Sequence, residues 1–166
     1  DGAFFEDHEE LETEIAAINT PGTAPLYYFQ HGTAVAATAG GATNNQQGKS
    51  SIGYDCKLSL TSMGYNQVLD MSWSGVRVIN MSYGPDTDYH PKGSVFLRNS
   101  NKLTNVASTK NKNIVFVQAA GNDGIRLRSW LVSFQAYSKL KNLIIVGALK
   151  KNGKIDTRYS NRPGGG

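Results

Sequence analysis

Gln30-His31-Gly32-Thr33-Ala34-Val35-Ala36-Ala37-Thr38-Ala39-Gly40-Gly41 is the stretch on which the reading of this 166-residue chain turns. A histidine is followed at once by a run of small residues that closes on two glycines. Ala is the best helix former and Gly the usual stop signal, so a short helix ending near Gly40-Gly41 is expected. Gly32, Ala34, Ala36, Ala37 and Ala39 carry almost no bulk, which lets such a helix pack very close to a sheet. The same reading puts His31 at or just before the helix's first turn. Taken alone, a small-residue helix is a packing device, and a single His is more often structural than chemical.

The segments on either side supply its context. Asp1 to Glu14 is acidic, with Leu11 and Ile15 four residues apart, and reads as a loop entering a short helical turn. Thr20 to Pro25 is a loop by its Pro and Gly content. The polar stretch Thr43 to Ser51 contains Gly48-Lys49-Ser50, but a phosphate loop needs a further glycine at position 43, which is Thr, and a preceding strand, so a nucleotide site is rejected. Lys57 to Met63 alternates polar and apolar and predicts a strand. Asn66 to Gly75 predicts a short helix, Val76 to Ser82 a β-branched strand, and Gly93 to Lys112 a helix. Asn113 to Ala120 predicts a buried strand that ends in Gly121-Asn122-Asp123-Gly124. Leu143 to Leu149 predicts another, closed by a hairpin-type turn at Lys151-Asn152-Gly153-Lys154. Asp156 to Ser160 reads as a short outer strand. Alternating strands and helices with apolar strands imply an α/β domain with a mostly parallel sheet. In such sheets ligands bind beyond the carboxyl ends of the strands, where His31, Ser82 and Asn122 all fall.

Composition bounds the function. A chain of this length supports one domain with a real core. The net charge of +4 is spread, apart from modest clusters at Arg126/Arg128 and Lys139/Lys141/Lys150/Lys151/Lys154, and lacks the stripe with base-reading partners that nucleic acid requires. No apolar run approaches a membrane span. Cys56 is the only cysteine, which excludes an intrachain disulfide. Asp1 opens without a Met and Arg162-Pro163-Gly164-Gly165-Gly166 ends abruptly, so the chain is read as an excised piece of a longer protein.

The motifs together resemble the subtilisin-like serine proteases, the subtilases. His31-Gly32-Thr33-Ala34-Val35-Ala36 is similar to the family's H-G-T-x-V-A segment, and Val78-Ile79-Asn80-Met81-Ser82-Tyr83-Gly84 to its V-I-N-M-S-x-G strand. Val117 to Gly124 resembles A-A-G-N-x-G, and Leu143 to Ala148 followed by Tyr159-Ser160-Asn161 resembles V-G-A … F-S-N. The four occur in the family's order. At the start, Asp1, His8 and Leu11 align with the family's Asp motif, although Gly2 sits one residue early and Glu9 stands where Pro is usual. Asp7 is the alternative Asp, and it breaks the His8…Leu11 alignment.

The resemblance implies a three-layer α/β fold with a mostly parallel central sheet, incomplete at both ends: a single partial peptidase domain, 1–166, lacking the first strand and the part that bears the Ser. It implies that Asp1 orients His31, that His31 takes the proton of a serine hydroxyl, and that Asn122 donates to the oxyanion. Ser82, Tyr83 and Gly84 would offer a strand edge to an extended polypeptide, with Gly121 allowing close approach. The family's nucleophile lies in a later G-T-S-x-A/P segment, and no Gly-Thr-Ser occurs here. The 166 residues alone are therefore expected to be inactive, and either to self-associate through strand edges left open by the missing first strand or to be only marginally folded. No metal-ligand spacing is present and no cofactor is expected; calcium, and secretion or periplasmic export, follow from resemblance only. The alternatives are a catalytically inactive interaction domain of the same fold, or an unrelated α/β binding domain.

Overall fold

A computed structural model describes residues 1–20, 23–72, 74–83, 113–127 and 141–163. The elements in chain order are β1 (Ile15–Asn19), α1 (Leu26–Gly40), β2 (Leu58–Thr61), α2 (Tyr65–Ser72), β3 (Val78–Met81), β4 (Val115–Ala119), β5 (Arg126–Leu127), β6 (Leu143–Val146) and β7 (Arg162–Pro163). Every pair among these strands is parallel: β1 with β2, β3-β4-β6 as a three-stranded sheet, and β5 with β7. The architecture is the α/β class that the alternation predicts. The expected helix Gly93 to Lys112 lies outside the described residues, as does Gly84. The chain divides into two compact units, Asp1–Gln67 and Val68–Gly166.

In the first unit α1 ends at Gly40, as its two glycines predict, but it begins at Leu26, so His31 sits inside the helix rather than at its first turn. Pro25 is the residue before the helix, with φ −55° and ψ 142°, and its carbonyl oxygen accepts from the Tyr28 N–H. Proline sets the chain direction there, and nothing in Leu26 to Gln30 breaks a helix. The aromatic run therefore becomes an extra stretch of helix ahead of the histidine.

The small residues of α1 do what their size predicts. A Cβ on Gly32 would lie 2.0 Å from the Ala3 carbonyl oxygen and 3.3 Å from Phe4 Cδ1, and one on Gly40 would lie 2.9 Å from Leu58 Cδ2. Thr33 Oγ1 accepts from the Phe5 N–H at 2.9 Å. The helix thus touches the Gly2–Phe5 segment backbone to backbone on one side and β2 on another. Phe4, Leu11, Ala36 and Leu60 form the buried cluster between them, with Ile15, Ile18, Ala37 and Leu58 packed against it. Each large side chain buried there contributes about 1.5–3 kcal/mol. Ile15, expected to continue a helical turn from Leu11, instead opens β1. The turn that starts at His8 ends where the Ile15 N–H donates to the Leu11 carbonyl, and Ile15 then pairs with Leu58. Tertiary pairing overrides the local i, i+4 signal.

In the second unit β3, β4 and β6 run in register, Val78 beside Val115 and Phe116 beside Leu143. Ile79, Met81, Phe116 and Gln118 are buried, whereas Val78, Val115, Ile144 and Val146 are exposed. The turn after β4 is shaped by Asn161, a fully buried side chain. Its Oδ1 accepts from the Asp123 and Ile125 N–H groups, both at 3.1 Å, and its Nδ2 donates to the Ala120 carbonyl (3.1 Å) and Asp123 Oδ2 (2.8 Å). Gly121 (φ 98°) and Gly124 (φ 66°) supply the left-handed conformations that the turn requires. The hairpin turn at Lys150 to Lys154 forms, with Leu149 bridged to Ile155. Asp156 to Ser160 is not the expected strand: it is a turn in which the Ser160 N–H donates to the Asp156 carbonyl. Asp156 also accepts from the backbone N–H and guanidinium of Arg158, which favours the turn over an extended chain. That guanidinium holds the Asp156 carboxyl down to about 2. The contribution is complete above the ordinary carboxylate value of 3.8 and is lost as pH falls toward 2.

Both units lend themselves to stability tests on the full-length protein. Gly32→Ala forces a methyl into the Ala3 carbonyl and is expected to lower stability by about 1–3 kcal/mol in denaturant unfolding; an unchanged midpoint would show that the close approach is not a constraint. Asn161→Ala leaves two part-buried backbone donors and an acceptor without their partner, each hydrogen bond worth about 0.5–1.5 kcal/mol. Faster amide exchange confined to residues 120–125 is the expected signature, and unaltered protection there would contradict the cradle.

Candidate active site

His31 is placed by the rigid contact of α1 with the segment that carries Asp1. Its Nδ1 lies 2.9 Å from Asp1 Oδ2. The Asp1 side chain is 5% exposed and the His31 side chain 38%, so a buried carboxylate faces a partly accessible ring. The second carboxylate oxygen, Oδ1, accepts from the Gly2 N–H at 2.7 Å. A carboxylate is an acceptor only, so this geometry puts the imidazole proton on Nδ1 and leaves Nε2 as the nitrogen able to accept one. Asp7, the rival in the sequence, is exposed. His8 serves the local structure, where its Nδ1 accepts from the Glu10 N–H and its carbonyl accepts from the Leu11 and Glu12 N–H groups.

Ser82, Tyr83, Gly121 and Asn122 all belong to the second unit, after the carboxyl ends of the adjacent parallel strands β3 and β4. Ser82 Oγ accepts from Asn80 Nδ2 at 2.8 Å, and the Tyr83 carbonyl accepts from Gln118 Nε2 at 3.5 Å. Among the described residues β3 is an edge of its sheet. Asn122 is exposed at the tip of the turn that Asn161 holds from beneath. Sequence reasoning places Asn161 within a motif but assigns it no role. Its only signal is an amide side chain after a serine, and nothing local says which distant backbone groups it will satisfy.

Among the described residues no group of three or more His, Cys, Asp or Glu is placed to hold a metal ion. One carboxylate nevertheless has an unusual setting. Glu10 is buried, its Oε1 accepts from the Lys49 N–H at 3.1 Å, and its Oε2 has no hydrogen-bond partner. The loop after α1 wraps it closely: a Cβ on Gly48 would fall 1.3 Å from Oε1, and Asn44, Gln46 and Gly48 all adopt positive φ. The Lys49 amide that a phosphate loop would offer to an anion is already committed to a carboxylate. A buried carboxylate oxygen without a donor, beside a loop that carries Asn44, Asn45, Gln46 and Gln47, suits a hard cation with oxygen ligands, and calcium fits that donor chemistry.

Several solved structures share the fold. The epidermin leader peptide processing serine protease EpiP from Staphylococcus aureus superposes with a TM-score of 0.64 at 17% identity, covering 97% of this chain and 47% of that one. The nisin leader peptidase NisP from Lactococcus lactis gives 0.64 at 16% identity, covering 98% and 58%. The prenylagaramide maturation protease PagA gives 0.62 at 21% identity, covering 99% and 56%. The chain therefore spans about half the length of these proteases. No curated protein matches the sequence. The model of the subtilase family, Peptidase S8, matches residues 3–164, and the chain belongs to the subtilisin-like serine proteases.

Proposed function

We propose that the protein containing this chain is a serine endopeptidase that cleaves polypeptides through an acyl-enzyme. The observation that carries the proposal is the buried Asp1 carboxylate at 2.9 Å from Nδ1 of a partly accessible His31. A serine hydroxyl is a poor nucleophile at neutral pH, so a base must take its proton as it attacks the carbonyl carbon. His31 Nε2 fills that role, and Asp1 fixes the tautomer and stabilises the imidazolium that results. The serine is proposed to come from a later G-T-S-x-A/P segment of the longer protein, giving the chain order Asp, His, Ser. Asn122 is proposed as the side-chain donor to the oxyanion, preorganised by the Asn161-held turn. The Ser82–Gly84 segment, with Gly121, is proposed to receive the extended substrate by main-chain hydrogen bonds. The neighbouring structures named as leader peptidases support a polypeptide substrate, and a secreted or periplasmic setting is proposed on the family resemblance.

Calcium is proposed at Glu10, where Oε2 and oxygens of the loop after α1 would hold it. Its contribution there would be structural, offsetting the half-satisfied Glu10 carboxylate and tying it to the loop. The 166 residues produced alone are proposed either to self-associate through open strand edges, β3 being one among the described residues, or to be only marginally folded; sedimentation as a stable monomer with a cooperative thermal transition at high temperature would contradict this.

Full-length protein is expected to label with a fluorophosphonate probe, with labelling lost in His31→Ala. Absence of labelling in folded wild-type protein would favour the inactive interaction domain instead. Asn122→Ala is expected to lower kcat by about 10²–10³ with little change in KM, since the charge it stabilises exists only in the transition state. Loss of binding with kcat retained would make Asn122 a positioning residue. Chelation of calcium is expected to lower the melting temperature of wild type and not of Glu10→Gln, the stabilisation being about 2.7 kcal/mol at a concentration one hundred times Kd. Equal sensitivity of the two would place any calcium elsewhere.

A further inference from the structure

The extra helix at the start of α1 brings an aromatic ring onto the histidine. Tyr27 and His31 are four residues apart on one helix, where side chains stack one above the other. Their rings lie 5.9 Å apart between centroids with 29° between planes, a stacked arrangement. Tyr27 is 66% exposed and takes no part in the Phe4, Leu11, Ala36, Leu60 cluster, so core packing does not explain its ring. It is nevertheless braced. The Tyr28 ring meets it edge-on at 5.8 Å and 65°, and Tyr28 lies against Gly2, where an added Cβ would fall 2.6 Å from Tyr28 Cδ1. Gly2 is the residue whose N–H holds Asp1 Oδ1. The contacts close on themselves: Asp1 to Gly2, Gly2 to Tyr28, Tyr28 to Tyr27, Tyr27 to His31, and His31 back to Asp1.

We propose that Tyr27 is a positioning residue for His31, its ring closing one face of the imidazole and confining it to the orientation in which Nδ1 meets Asp1. One hydrogen bond fixes a distance but leaves a half-exposed ring free to swing about its side-chain torsions. A flat aromatic wall at helical spacing removes that swing, and a planar face serves where a flexible aliphatic chain does not. The inference rests on the protease reading for its catalytic consequence. The orientation itself is a property of the first unit alone.

The test uses the full-length protein as wild type, Tyr27→Phe and Tyr27→Ala, with Tyr27→Leu as the ringless variant if Tyr27→Ala does not fold. Two readouts are taken: the far-downfield proton NMR signal of the His31 Nδ1–H, and kcat and KM on a peptide substrate. Tyr27→Phe is expected to retain the signal and the rate. The ringless variant is expected to broaden or lose the signal and to lower kcat by up to about 10²-fold at unchanged KM, the scale of a misplaced reacting group. A ringless variant with wild-type signal and wild-type kcat overturns the proposal, as does a rise in KM alone. If wild type shows no turnover, the protease reading fails while the NMR signal still decides: its dependence on the ring sustains the positioning role, and its indifference overturns it.

Discussion

The approach of helix α1 to the Gly2–Phe5 segment is the contact on which the first unit depends. At Gly32 the helix backbone comes so near the Ala3 carbonyl that no side chain fits between them. One residue earlier stands His31 and one residue later Thr33, whose hydroxyl clamps the Phe5 N–H. Three consecutive residues thus divide the work into imidazole, close approach and clamp. A larger residue at the middle position would push Asp1 away from His31 and expose Phe4. Packing at this density leaves few alternative arrangements, so the carboxylate–imidazole distance is fixed by the fold rather than by the pair's own attraction.

The second unit solves a related problem with polar groups. A turn that presents Asn122 to solvent must leave several backbone donors and acceptors pointing inward. Asn161 is an amide with donors on one arm and an acceptor on the other, and from a fully buried position it engages three of those backbone groups and the Asp123 carboxylate at once. With its polar groups paired in this way the turn suits the role proposed for Asn122, since a preorganised donor costs no reorganisation during reaction. Ser160 works beside it, its hydroxyl accepting from the Ala148 N–H and donating to the Asn161 carbonyl.

Glu10 stands apart from both. Its Oε1 is satisfied by the Lys49 amide and its Oε2 is not, and Gly48 of the same loop lies close against the carboxylate. Enclosure of a half-satisfied carboxylate is unfavourable without a counter-charge, which is the physical reason for proposing a cation at this loop.

Much of this was legible in the sequence. Small residues and two terminal glycines gave α1 its end and its close packing, because steric bulk is a local property. Alternating and β-branched runs bounded by turn residues located β2, β3, β4 and β6, because extended backbone preference is local, although the apolar side chains Val78, Ile144 and Val146 prove exposed. Four motifs in order pointed to the family that the chain belongs to. The tertiary structure decided the rest. It started α1 at Leu26, since only packing tells whether an aromatic run after a proline joins a helix or remains loop. It opened β1 at Ile15, whose spacing from Leu11 read as part of a helical turn, because pairing with β2 outweighs a single i, i+4 spacing. It held Asp156–Ser160 as a turn by pairing the Asp156 N–H with the Ala148 carbonyl and the Tyr159 carbonyl with the Gly124 N–H. The partners of Asn161 and Glu10 were beyond local reading, because each is defined by groups that only folding brings alongside, whereas Tyr27 meets His31 at helical spacing once α1 begins at Leu26.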